Sequence, residues 1–311
     1  MSAPNRRTLL KGLALAGGTA ALEAAPAAAI ERRSAPPAAL GMLYDTTRCI
    51  GCKACVFACQ QANDLEPERD AAGLHLAPAD LSGRTKNVIK LVETDEGRRS
   101  FVKAQCMHCV DPACAAACML AALQKDPTTG IVSWDAALCV GCRYCMMACP
   151  FNVPKFEFDQ ALPKVVKCEL CRHRVGNATL DRVEGGLSQY PKGHGPACCE
   201  VCPREAVVYG RRDELLAEAH RRIAEAPAGT YFEDRVYGES EAGGTQVLYL
   251  SHLPFAEIGL PDYPDRPTRA DAYGVQEAIY KGFIAPVALY GVLAAVMLRN
   301  RRRGAGEEER S

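Results

Sequence analysis

Cys139, Cys142, Cys145 and Cys149, closed by Pro150, follow the spacing C-x2-C-x2-C-x3-C-P. Thiolates this close together suit the chemistry of iron. Three of them can wrap one [4Fe–4S] cubane, and the fourth, leaving with the next segment, points to a different cluster. Gly141 lets the loop turn tightly. Three more runs stand in the chain. Cys49, Cys52, Cys55 and Cys59 repeat the spacing without the proline, and Cys106, Cys109, Cys114 and Cys118 have a longer second gap. The last run is split: Cys168 and Cys171, a long insertion, then Cys198, Cys199 and Cys202 before Pro203. Taking Cys198 as third member restores the x3 gap to Cys202. That leaves one of the seventeen cysteines, Cys199, over. It can instead stand in for Cys198.

Other cysteine chemistries fit less well. Disulfides are the default for an exported cysteine-rich chain, but tight triplets fit poorly with separate bridges and seventeen is odd. Structural zinc prefers C-x2-4-C pairs across a longer loop, a pattern only the split run resembles. A [3Fe–4S] centre needs a replaced ligand, and none is replaced. His108, inside the second run, reads as a surface or hydrogen-bonding neighbour that tunes potential rather than as an iron ligand. Trp134 reads as hairpin packing. No nucleophile–base arrangement and no phosphate loop stands out.

The elements around the runs are small. Leu43-Tyr44 starts a strand before the first run. Residues 87–92 and 100–103 form a hairpin about Thr94-Asp95-Glu96-Gly97. A second hairpin joins 122–125 to 131–134 through a turn with Pro127 early and Gly130 late. The insertion from Arg172 to Ala197, rich in Gly and charge, reads as a surface loop. A strand follows at Ala206–Gly210. Leu215, Leu216, Ala219 and Ile223 put an amphipathic helix over Arg212–Glu225, and Gly243–Leu250 reads as a further strand. Pro254, Pro261, Pro264 and Pro267 rule out a continuous helix, so Pro254–Thr268 reads as an extended tether.

The two ends suggest a membrane setting. Asn5-Arg6-Arg7-Thr8-Leu9-Leu10-Lys11 resembles the twin-arginine export signature, followed by an Ala/Gly-rich run and a possible A-x-A site at Ala27-Ala28-Ala29. Export of folded protein agrees with clusters inserted in a reducing cytoplasm. Gly282–Leu298 carries no charge, and at about 1.5 Å per residue reaches only the lower end of a membrane span. Arg299, Arg301, Arg302 and Arg303 follow at once, which makes the C-terminus cytoplasmic by the positive-inside rule. The chain of 311 residues has a formal net charge of zero, so nothing suggests a nucleic-acid partner. Aromatic residues are only 6%, and inorganic cores held by cysteine can replace part of the missing packing.

Together the runs resemble the four-cluster ferredoxin-like subunits of membrane-bound oxidoreductases, over roughly residues 40–250. Gly41–Asp45, Gln105–Pro112 and Gly141–Met146 are similar to the subunit that serves hydrogenase-2-type nickel–iron hydrogenases. The resemblance implies an α+β fold of tandem bacterial-ferredoxin-like [4Fe–4S] units, with an export leader and one C-terminal transmembrane helix. The expected boundaries are 1–37 for signal and linker, 38–252 for the four-cluster domain, 253–274 for a linker, 275–299 for the membrane helix and 300–311 for a cytoplasmic tail. It also pairs the runs, which spacing alone does not. The inner pair gives one cluster on Cys106, Cys109, Cys114 and Cys149 and one on Cys139, Cys142, Cys145 and Cys118. The outer pair gives Cys49, Cys52 and Cys55 with Cys202, and Cys168, Cys171 and Cys198 with Cys59. The implied role is electron transfer without catalysis: single electrons pass between a periplasmic hydrogenase (small and large subunits) and a multi-span membrane subunit that meets quinone. In the alternative context a molybdopterin enzyme of the formate dehydrogenase or polysulfide reductase type replaces the hydrogenase.

Overall fold

The computed structural model of the chain describes residues 33–67, 78–158, 163–176, 187, 190–269 and 286–298. The export signature and the A-x-A site lie outside them. In chain order the first half holds β1 (Leu40–Asp45), α1 (Ala54–Ala62), β2 (Asn87–Glu93), β3 (Arg99–Gln105), α2 (Ala113–Ala116), β4 (Leu123–Lys125), β5 (Val132–Trp134) and α3 (Tyr144–Ala148). The second half holds β6 (Lys155–Phe156), β7 (Val165–Val166), α4 (Arg172–Val175), α5 (Ala197–Glu200), β8 (Val207–Arg211), α6 (Arg212–Glu225), β9 (Val247–Leu250) and a helix α7 over residues 286–298.

One sheet ties the early chain to the late chain. β1 lies in the centre of a three-stranded sheet, antiparallel to β8 and parallel to β9. A strand covered on both faces needs apolar residues at successive positions, and Met42, Leu43 and Tyr44 are all buried. Leu43, with Leu248 and Leu250, packs under Leu215 and Ala219 of α6. Met42, Tyr44 and Tyr249 face the opposite way, into the core that holds most of the cysteines. The two expected hairpins are present as β2–β3 and β4–β5. Helix α6 has the expected bounds. Its apolar stripe does not account for Arg222, which is 5% exposed; Arg222 is stabilised there by ion pairs to Asp45 (3.3 Å) and Glu218 (2.7 Å).

Three expectations need correction. Residues 253–269 are no tether: Leu253, Phe255, Ile258 and Leu260 are buried in the main core. Tyr237 donates to the Pro261 carbonyl (2.7 Å) and Tyr263 to that of Pro150 (2.8 Å). The prolines prevent a helix, as expected, but apolar residues between them reach back onto the domain. The strand expected at Gly243–Leu250 begins only at Val247, because Gly243 and Gly244 adopt positive φ. The insertion after Cys171 is not loop throughout: Arg172–Val175 is a helical turn with Val175 buried. At the C-terminal end, residues 286–298 form an exposed helix. Among the described residues no helix is long and apolar enough to cross a membrane; the rest of the expected span lies outside them.

Candidate iron–sulfur centres

The four runs share one backbone device. The residue before the second cysteine is left-handed in each: Gly51 (φ 70°), His108 (49°), Gly141 (70°) and Leu170 (50°). This bend curls the first two sulfurs around a common centre. It costs glycine little, and a side-chain residue about 1–2 kcal/mol. Beyond it the runs fall into two kinds. In the first and third, left-handed Lys53 (φ 57°) and Arg143 (φ 64°) lead into α1 and α3. In the second and fourth, Pro112 and Pro196 lead into the four-residue helices α2 and α5. Helix α1 lies against α5, and α2 against α3. The first run is thus paired with the fourth, and the second with the third.

The pairing brings cysteines together in fours. Cys49, Cys52, Cys55 and Cys202 line one cavity. Cys118, Cys139, Cys142 and Cys145 line another. Burial pushes the Cys109 thiol up, and its neighbours Cys149, Cys114 and Cys106 push it further. Cys168 is likewise pushed up by burial and by Cys59, Cys198 and Cys171, against Lys103. Each group takes three sulfurs from one run and its fourth from the paired run. No disulfide joins any of the seventeen cysteines.

The groups stand in a row. Cys55 is raised to about 12 by burial and then by Cys198 of the next group, as well as by Cys49 and Cys202 of its own, with Lys103 opposing. Tyr249, raised by burial against the pull of Lys103, neighbours both Cys168 and Cys106. The main-chain N–H of Val132 donates to Nδ1 of His108 (3.0 Å), while Lys167 donates to the carbonyls of Val132 and Cys168 (3.0 Å to Cys168). Cys114 in turn neighbours Cys145. The sequence of groups is therefore Cys49/52/55/202, Cys168/171/198/59, Cys106/109/114/149 and Cys139/142/145/118. Of the seventeen cysteines, Cys52 and Cys142, in the two end groups, are exposed.

The donor set fits iron–sulfur clusters. Soft sulfur in fours is the ligation that such clusters take. Burial raises Cys59 and Cys145 to about 12 and Cys149 to about 11, with neighbouring thiols adding to it; coordination to a metal deprotonates such thiols outright. Main-chain amides already point at sulfur: Gly51 N–H to Cys49 (3.4 Å), Leu170 N–H to Cys168 (3.4 Å) and Ala206 N–H to Cys202 (3.3 Å).

Residues 98–212 match the 4Fe-4S dicluster domain family, and residues 40–61 a 4Fe-4S binding domain. The hydrogenase-2 operon protein HybA of Escherichia coli O157:H7 is 39% identical over 328 aligned residues, 96% of each chain. The chain belongs to the HybA family of ferredoxin-type 4Fe-4S proteins. The nitrate-inducible formate dehydrogenase iron–sulfur subunit of Escherichia coli (strain K12) is 35% identical over 264 residues, 83% of this chain and 82% of that one. The formate dehydrogenase iron–sulfur subunit of Haemophilus influenzae is 31% identical over 257 residues, covering 80% and 75%. The chain is thus related to electron-transfer subunits, not to catalytic ones.

The structure places several residues of this HybA-family chain more closely than sequence can. Of the two roles expected for His108 the structure shows the hydrogen-bonding one: the ring is fully buried and accepts from the Val132 N–H. Cys198, the expected third ligand of its run, neighbours Cys55, Cys59, Cys168 and Cys171; of these, Cys199 neighbours Cys171. Cys199 lies on the side of Tyr190 and Tyr209. Lys103 lies within strand β3 and is buried. Strand alternation, readable in the sequence, puts Lys103 on the face of Phe101 and Gln105.

Proposed function

We propose that the sixteen cysteines hold four [4Fe–4S] clusters, in the four groups given above, and that the chain relays single electrons along them. The reading rests on one observation above all: four thiol groups in a row, with a solvent-exposed cysteine at each end. A cubane bound there supplies the capacity to accept and return one electron. The chain supplies the rest: thiolate ligation, amide hydrogen bonds to sulfur and exclusion of water, which together set potential. Exposed Ile50 and Phe57 beside Cys52, and exposed Met119, Leu138 and Val140 near Cys142, support contact faces for redox partners at both ends.

The partners in this reading are a hydrogenase of small and large subunits and a multi-span membrane subunit that meets quinone. The length and identity of the match to a hydrogenase-2 operon protein support it. The second reading, service to a formate dehydrogenase-type molybdopterin enzyme, is supported by the 35% identical iron–sulfur subunit. In either, the cluster domain faces the periplasm, exported by the twin-arginine signature and held by a helix over residues 275–299. The apolar run Gly282–Leu298 and the arginines after it support that topology.

Co-purification from membranes, with identification of the associated chains and assay of hydrogen- against formate-dependent quinone reduction, separates the two contexts. Iron content near sixteen atoms per chain, as four cubanes require, tests the cluster count; zinc or bridged thiols in its place overturn the relay. A chain ended after Asp271 and expressed without partners is expected in the soluble periplasmic fraction. Its continued presence in membranes overturns the anchor.

A further inference from the structure

Lys103 is buried at 1% exposure, in the middle of β3. Three lysines of the core are largely withdrawn from water, and two have main-chain carbonyls to receive their ammonium groups. Lys167 donates to those of Val132 and Cys168. Lys125 donates to those of Cys109 and Gly130 and to Gln246 Oε1. Lys103 has a single neutral acceptor, Oε1 of Gln105. No carboxylate reaches it among the described residues. An unpaired buried ammonium is costly enough that proteins normally pair it.

The backbone fixes where that ammonium lies. On β3, Phe101 and Lys103 share a face, and the Phe101 ring covers Gly51, between Cys49 and Cys52. Ile89, opposite Lys103 in the hairpin, lines the cavity of Cys49, Cys52, Cys55 and Cys202. Tyr249 donates to the Lys103 carbonyl (2.6 Å) and Tyr44 to that of Phe101 (2.8 Å), so the central sheet holds the strand in place. The cysteines that interact with the ammonium are Cys198, Cys55, Cys168 and Cys59, drawn from both outer groups; Cys55, Cys168 and Cys198 pack in one core with Ile89 and Tyr249.

We infer that Lys103 is a fixed internal cation shared by the two outer clusters, a positioning residue that raises their reduction potentials relative to the inner pair. The inference rests on the cluster reading above. Each cubane gains a negative charge on reduction, and a cation buried beside it favours the reduced state, with little solvent to screen the effect.

The test is a redox titration of the purified full-length holoprotein, followed by the spin signals of the reduced clusters, for wild type, Lys103→Met, Lys103→Gln and Lys103→Arg. In Lys103→Met two of the four midpoints are expected to fall, by a factor of at least about ten in the reduction equilibrium, or about 59 mV for one electron. The other two stay, and Lys103→Arg restores the wild-type pattern. Lys103→Gln keeps a polar tip toward Gln105 without charge. It carries the same expectation should the methionine variant fail to assemble. Unshifted outer midpoints, an equal shift of all four, or an arginine variant shifted as far as the methionine one each overturns the role. Wild-type protein without iron would overturn the cluster reading itself; loaded wild type with unshifted variants overturns only the lysine.

Discussion

Cys114 and Cys198 hold one position in two copies of the same turn. Each is the second residue of a four-residue helix entered from a proline, Pro112 or Pro196, and each is followed after x3 by the last cysteine of its run. Cys199 has no counterpart in the other copy, where Ala115 stands. Cys198→Ser is therefore expected to lose or convert one cluster, about a quarter of the iron. Cys199→Ser should leave the iron content and the spin spectrum unchanged. Equal loss in both variants would return the third ligand to ambiguity.

Gly51 and Gly97 both have positive φ, 70° and 77°. A Cβ on Gly97 would meet nothing, whereas one on Gly51 would enter the Phe101 ring. Gly97→Ala should cost about 1 kcal/mol from backbone strain alone. Gly51→Ala should cost clearly more and also release iron. Thermal unfolding with iron analysis compares the two, and equal midpoints would contradict the packing described here.

Tyr249→Phe removes the hydrogen bond to the Lys103 carbonyl but leaves the ring against Tyr44, with centroids 5.6 Å apart. Loss of one buried hydrogen bond is expected to lower stability by about 1–2 kcal/mol, read as a shift in the denaturant midpoint at unchanged slope.

Arg222 bridges Asp45 of the central sheet and Glu218 of its own helix. Arg222→Met should cost about 3 kcal/mol, because Asp45 is left buried beside one ion-pair partner fewer. Burial pushes the Glu218 carboxyl up, but hydrogen bonds from Arg222 and Arg221 outweigh it and hold the pKa below the ordinary value. A depressed carboxyl stabilises the fold above its unfolded pKa, about 4.3. That contribution is lost as pH falls from about 4.3 through the folded value. Glu218→Gln should flatten this acid limb relative to wild type while leaving its shape near pH 7 unchanged.

A chain ended after His252 should be much less stable than one ended after Asp271. The shorter chain lacks Leu253, Phe255, Ile258 and Leu260, each buried and each contributing about 1.5–3 kcal/mol. Comparable protease resistance of the two would mean that the segment does not belong to the core.

Local patterns were legible in the sequence where chemistry or periodicity is local. The cysteine spacings, the two hairpins and the bounds of Arg212–Glu225 are of that kind. What was not legible depends on distant partners. Arg222 looks like a surface residue until Asp45, far away in the chain, is folded against it. Prolines 254 to 267 signal the absence of a helix equally well in a loose tether and in a packed strap. Only the three-dimensional core tells them apart. The left-handed bend was readable at Gly51 and Gly141. It was invisible at His108 and Leu170, whose side chains give no local hint that tertiary packing will override their backbone preference.

The order of pairing along the chain also has a bearing on how such a protein is made. Cys106 to Cys149 brings both inner groups to completion within a short stretch, whereas the outer groups wait for Cys202, and the sheet through β1 waits for residue 250. Closing the short loops first loses less chain entropy. During synthesis the middle of the polypeptide can thus ripen before its beginning does, and the first-made cysteines stay open to cofactor delivery until the last-made strand fastens them in.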